Sequence, residues 1–97
     1  MNKVSILMPI FNEQKFIKEA IQSVLNQSYK DFELIIIDDF STDKSYSIIE
    51  NYSLIDSRIK LIKNTKKGKT AAFNLGFKKS TGNFICFFAG DDIMDEN

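Results

Sequence analysis

Ninety-seven residues make one domain at most, and 43% apolar with 27% charged residues is the balance of a folded chain, not a disordered one. Thirteen basic and thirteen acidic side chains cancel, and Arg58 is the only arginine, so the chain lacks the electrostatic footprint of a nucleic-acid binder. With no histidine and one cysteine, Cys86, there is no Ser-His or Cys-His nucleophile, no histidine metal site and no internal disulfide. Acid–base or metal chemistry must rest on carboxylates.

The first predicted strand covers residues 4–11. Its apolar run follows Lys3, is broken by Pro9 and leads into Asn12-Glu13-Gln14-Lys15, without the small-residue cleavage site of a signal sequence. No stretch approaches the roughly 20 apolar residues of a membrane span. Together with the lone cysteine, this predicts a soluble, cytoplasmic protein, with peripheral membrane contact left open. A helix follows over residues 14–26, where Ile17, Ala20, Ile21, Val24 and Leu25 share one face. The second strand is predicted over 32–37, then a helix over 43–52 with Tyr46, Ile49 and Tyr52 on its apolar face. Ser41, Thr42 and Asp43 supply its N-cap residues. The third strand covers 58–62. Ala71, Ala72, Leu75 and Lys79 mark a third helix, with Gly82 placed to stop it, and a fourth strand covers 84–88.

Leu34-Ile35-Ile36-Ile37 and Phe84-Ile85-Cys86-Phe87-Phe88 are continuous apolar runs, which predicts strands buried on both faces of a parallel sheet. Cys86 lies inside the second of these, which favours a core thiol over a reactive one. The order β-α-β-α-β-α-β predicts an α/β fold with a Rossmann-like, doubly wound, mainly parallel sheet, as a single unit over residues 1–97. The chain stops just past its fourth strand, beside its densest acidic cluster, which predicts the first part of something longer. Edges left open in such a half predict self-association as a homo-oligomer.

Ligands of open parallel sheets bind beyond the carboxyl ends of the strands. Here those ends carry Pro9-Ile10-Phe11-Asn12-Glu13, Asp38-Asp39-Phe40-Ser41-Thr42-Asp43 and Ala89-Gly90-Asp91-Asp92, whereas the opposite ends carry mostly Lys, Asn and Ser. Asp38 and Asp39 are turn and helix-start residues, or one of them accepts a ligand N–H such as uracil or guanine offers. Asp91 and Asp92 are a solvated acidic turn, or ligands for Mn²⁺ or Mg²⁺, hard cations held by carboxylates and phosphate oxygens. Asp95 and Glu96 read as solvated. Phe11 is core, pocket wall or stacking platform. Lys66-Lys67-Gly68-Lys69-Thr70 lacks the upstream glycine of a Walker loop, since position 63 is Lys63. It still makes a basic start to a helix, where Lys69 would help hold a diphosphate.

Val4-Ser5-Ile6-Leu7-Met8-Pro9-Ile10-Phe11-Asn12-Glu13 resembles the opening of family 2 glycosyltransferases. Ser23-Val24-Leu25-Asn26-Gln27-Ser28-Tyr29, Phe32 through Asp43, Gly68 with Ala72-Phe73-Asn74-Leu75-Gly76, and Gly82-Asn83-Phe84-Ile85 continue the resemblance across the chain. It implies an A-type glycosyltransferase fold and a nucleoside diphosphate sugar donor, foremost a UDP-sugar. Pro9 and Phe11 to Glu13 would border base and ribose, and Asp39 would contact the base with Asp38 beside it. Asp91 would match the last acid of an Asp-x-Asp motif binding metal and diphosphate, flanked by Asp92. Two positions depart from the family: Ala89 replaces the first acid of that motif, and Phe73 stands where an arginine is frequent. The resemblance implies inverting transfer to an acceptor hydroxyl in cell-surface polysaccharide synthesis. It places the general base beyond these residues and names no catalytic residue among them. A non-catalytic nucleotide-binding or assembly module is the alternative. A phosphoacceptor receiver is disfavoured because the Asp38-Asp39 pair follows the second strand, not the first.

Overall fold

The computed structural model describes residues 3–27 and 30–88. Its elements are β1 (Val4–Ile10), α1 (Ile17–Leu25), β2 (Phe32–Asp38), α2 (Ser45–Ile55), β3 (Ile59–Lys63), α3 (Lys69–Lys79) and β4 (Phe84–Phe87). The four strands form one parallel sheet in the order β3-β2-β1-β4. The chain builds outward from β1 to β3, then α3 carries it back past β1 to start β4. That reversal makes the sheet doubly wound.

Strand alternation sorts the core into two layers. Ile6, Met8 and Ile10 of β1 and Leu34 and Ile36 of β2 pack against Ile17, Ala20, Ile21 and Val24 of α1 and Ile49 of α2. Leu7, Ile35 and Ile37 face the other way, onto Ala72 of α3. Every residue of β2 is buried, as a strand between two others and two helix layers must be.

The predicted two-sided burial of the fourth strand does not hold. Among the described strands β4 lies at the edge, its residues half-buried or exposed, with Phe84 and Phe87 at 55% and 60%. Among the described residues it pairs with β1 alone, and Cys86 is half-buried there. The opposite edge follows a similar rule, with only Ile59 of β3 fully buried. No helix among the described residues is long and apolar enough to cross a membrane.

Two local expectations change for physical reasons. Gly82 does not end α3, which stops at Lys79 with Ser80 as its C-cap. A Cβ at Gly82 would lie 2.5 Å from Ser5 Oγ and 2.8 Å from the Lys3 carbonyl, so glycine is there to let the α3–β4 connection lie against β1. α1 begins at residue 17 rather than 14, after a turn in which the Glu13 carbonyl accepts from Phe16 N and Ile17 N, and side chains of the β2–α2 loop and of Ser45 accept from the N–H groups ahead of that turn. Asn12 N donates to Ser41 Oγ (3.0 Å), Glu13 N to Ser45 Oγ (2.8 Å) and Gln14 N to Asp43 Oδ2 (3.2 Å). Ser41 therefore serves the neighbouring loop, and α2 starts from Lys44 with no side-chain hydrogen bond from its N-cap. Asp43 holds the start of α2 one residue on, its Oδ1 accepting from Ser45 N at 2.9 Å.

At the amino-terminal end of the sheet a charged residue is buried. Glu33, 1% exposed in β2, accepts from Ser5 Oγ (2.6 Å), Thr81 N (2.6 Å) and Thr81 Oγ1 (3.1 Å) through Oε2. Lys3 and Lys60 stand 3.8 Å from Oε1. Burial pushes this carboxyl up, but the bonds from Ser5 and Thr81 and the charge of Lys3 outweigh it and hold the group below the usual carboxylate range. Arg58 is also engaged at this end, bidentate to Asp56 at 3.1 and 2.8 Å and stacked over Phe32.

Candidate functional site at the carboxyl rim

The carboxyl ends of β1, β2 and β3 meet at one rim, where Ile10 pairs with Asp38 and Asp38 with Lys63. Pro9 has a place in this geometry. The Leu7 carbonyl accepts from Phe88 N (2.9 Å) on the β4 side, and the Ile10 carbonyl accepts from Asp39 N (2.8 Å) on the β2 side. By alternation, residue 9 would donate toward β4, and proline has no N–H to give, so that bond is missing from the β1–β4 side. Pro9 thus stands between β1 and β4, where strand order reverses, the usual place for a crevice in this class of sheet.

Seven of the nine predicted site residues are described, and all seven lie along this rim. Pro9 is buried in β1, and Phe11 is exposed with the Lys67 ammonium 4.8 Å from its ring centroid. Asn12, exposed and at φ 50°, turns its side chain to the β2–α2 loop, where Oδ1 accepts from Thr42 N at 2.8 Å. Glu13 follows, half-buried, its carbonyl accepting from Phe16 N and Ile17 N at the start of α1. Lys69 is the exposed first residue of α3. Asp91 and Asp92, with Ala89, Gly90, Asp95 and Glu96, lie outside the described residues. Among those described, no three or more Cys, Asp or Glu stand together as a metal cage.

The two central aspartates point to opposite layers. Asp38 continues the side of Leu34 and Ile36, is 5% exposed, and accepts from Ser41 N at 3.3 Å through Oδ2. Its Oδ1 is buried without a hydrogen-bond partner among the described residues. Asp38 also lines an open cleft of about 580 Å³ with Phe40, Ser41, Thr42, Tyr46, Lys63 and Asn64. Phe40 is held there at φ 63°, a costly conformation for an aromatic residue. Of the predicted site residues only Asp38 lines this cleft.

Asp39 continues the side of Ile35 and Ile37, toward α3. Its Oδ1 accepts from Asn64 Nδ2 and from Gly68 N, both at 3.0 Å, while Oδ2 has only the longer 3.3 Å approach of the same Gly68 N–H. The carboxylate is thus anchored by one oxygen, and the other keeps capacity for a further donor. Asn64 was missed by reading the sequence, and Gly68 was read only as the glycine of a basic helix start, not as a partner of Asp39. Gly68 adopts φ 126°, ψ 149°, a region open essentially to glycine, so its N–H meets Asp39 while its carbonyl accepts from Ala72 N (3.0 Å) inside α3. Gly68→Ala is expected to cost about 1–3 kcal/mol. The melting temperature should fall by roughly 4–8 °C for each kcal/mol. An unchanged thermal transition by circular dichroism would show that the turn is not strained.

The family described as glycosyl transferase family 2 matches residues 5–97. A Haemophilus influenzae protein described as an uncharacterized glycosyltransferase is 45% identical over 95 residues, which are 97% of this chain and 38% of that protein. Among solved structures, S. aureus TarS residues 1–349 in complex with UDP superposes with a TM-score of 0.88 at 28% identity, covering 97% of this chain and 29% of that one. The mannosyltransferase PcManGT of Pyrobaculum calidifontis, in complex with GDP-Man and Mn²⁺, superposes with a TM-score of 0.84 at 25% identity, covering 91% and 27%. The chain therefore spans under two-fifths of the length of these relatives.

Proposed function

The chain belongs to glycosyl transferase family 2 and has the α/β sheet of an A-type glycosyltransferase, and from that premise we propose that residues 1–97 form its donor-binding unit. The guest is a nucleoside diphosphate sugar, foremost a UDP-sugar, lying over the rim on the α3 side. The observation that carries this reading is the half-committed carboxylate of Asp39. A base with an N–H edge, uracil or guanine, satisfies Oδ2, whereas cytosine and adenine present a lone pair at the corresponding ring nitrogen. Phe11 offers a ring face to the base, with Lys67 beside it. Pro9, Asn12 and Glu13 border the guest at the end of β1, Asp38 backs the rim from the opposite layer, and Lys69, at the positive end of α3, faces the diphosphate.

Asp91 and Asp92 are the residues proposed to hold Mn²⁺ or Mg²⁺. The ion supplies charge neutralisation of the departing diphosphate. In the whole enzyme the acceptor oxygen bonds to the anomeric carbon as the bond to the diphosphate breaks, with inversion. The hydroxyl proton passes to a carboxylate outside these 97 residues, and cell-surface polysaccharide is the proposed destination. Isothermal calorimetry with UDP and Mn²⁺ tests the donor reading. Binding is expected in wild type and weaker by roughly 10–100-fold in Asp91→Ala. Absence of binding to every nucleoside diphosphate would remove the proposal.

A further inference from the structure

We propose that Asn64 is a positioning residue for donor selection, fixing which oxygen of Asp39 faces the nucleotide. This rests on the reading that Asp39 meets the base. Asn64 is 5% exposed, just past the last residue of β3. Its backbone N–H donates to the Asp38 carbonyl at 2.8 Å, tying it to the end of β2. Its side-chain nitrogen donates to Asp39 Oδ1 (3.0 Å) and to the Gly68 carbonyl (3.2 Å), and its Oδ1 accepts from Thr65 N (3.0 Å). Both amide hydrogens and the amide oxygen are therefore engaged within the protein, which leaves Asn64 little to offer a ligand directly. Its effect must pass through Asp39.

The amide has one workable orientation. Flipped, its oxygen would face Asp39 Oδ1 and the Gly68 carbonyl, acceptor against acceptor. The terminal torsion of an aspartate is soft, and a carboxylate held by one donor can rotate. Asn64 and the Gly68 N–H grip the same oxygen from the two ends of the β3–α3 loop, so Oδ1 stays with the protein and Oδ2 remains for the guest. The same amide links Asp39 to the turn that carries Lys67 over Phe11. Asn64 thereby connects the base contact to the β3–α3 loop.

The test is calorimetry of UDP and CDP, with Mn²⁺ present, on wild type, Asn64→Ala, Asp39→Ala and the double variant. Asn64→Ala is expected to weaken UDP roughly tenfold and to narrow the UDP-over-CDP ratio, but to change UDP affinity less than about twofold once Asp39 is already alanine. Asn64→Asp, nearly isosteric, guards against misfolding. At neutral pH it sets two carboxylates against each other, and in mild acid a shared proton restores a donor, so UDP affinity should recover as pH falls. The other charged groups nearby are Asp38 at the end of β2, Lys63 at the end of β3, and Lys66, Lys67 and Lys69 in and after the turn. An unchanged UDP-over-CDP ratio in Asn64→Ala, an equal loss in the Asp39→Ala background, or no acid recovery in Asn64→Asp would each overturn the proposal while leaving the donor site standing. UDP binding that is absent, or indifferent to Asp39→Ala, would instead overturn the donor reading and this inference together.

Discussion

Glu33→Ala is expected to lower stability by about 2–4 kcal/mol, the cost of leaving the buried Ser5 hydroxyl without its acceptor together with the loss of the charge-assisted bonds from Thr81. A domain of this length has roughly 5–15 kcal/mol in total, so the loss is a large share. The lysines contribute less. Lys3 and Lys60 are well exposed and return to water when the carboxylate is removed, so no stranded charge adds to the cost. Glu33→Gln keeps an acceptor and should lose about half as much. Urea titrations of the three proteins check this, and coincident midpoints would show that the network is ornamental.

The same residue sets an acid limit. Because the folded-state value of Glu33 is depressed, the unfolded chain binds more protons in the window below about pH 4.3. Glu33 therefore contributes its full stabilisation above that value, and the contribution is lost as pH falls through the depressed one. Asp43 and Asp56 act in the same direction. Burial raises Asp43, but bonds from Ser45 and Gln14 outweigh it, and the Arg58 guanidinium holds Asp56 down. Glu33→Gln should flatten the acid slope of stability without abolishing it.

Asp39→Asn is expected to reduce UDP affinity by roughly 10–100-fold, the worth of a hydrogen bond to a charged acceptor. Its effect should also be selective. Asn64 and Gly68 both donate, so the new side chain must keep its oxygen toward them and turn its NH₂ to the guest. A donor then meets the N–H of uracil and repels it, whereas the cytosine lone pair is accommodated. CDP should lose little affinity or gain some, and competition calorimetry reads the ratio. Equal losses for both nucleotides would place Asp39 away from the base edge.

The strands could be read from runs of Ile, Leu and Phe, and α1 from the spacing of Ile17, Ala20, Ile21 and Val24, because burial writes its period into the chain. The rim could be read because Asn12-Glu13 and Asp38-Asp39 directly follow the apolar runs of the first two strands. The helix starts were less legible. Ser41 looked like a cap, yet its hydroxyl accepts from Asn12 N across a loop. The run at Phe84 looked buried on both faces, since composition cannot distinguish a central strand from an edge with large apolar side chains.

The sequence by itself determined that there would be a parallel α/β sheet with Asp38 and Asp39 at the carboxyl end of its second strand, since hydrophobic period and strand-end composition are local properties. Only the tertiary structure decided that Asp39 gives one oxygen to Asn64 and Gly68, and that Glu33 holds Ser5 and Thr81. Those partners stand 25 to 48 positions apart in the chain. A polar side chain carries no mark of its partner until folding excludes water and each buried donor and acceptor must be matched.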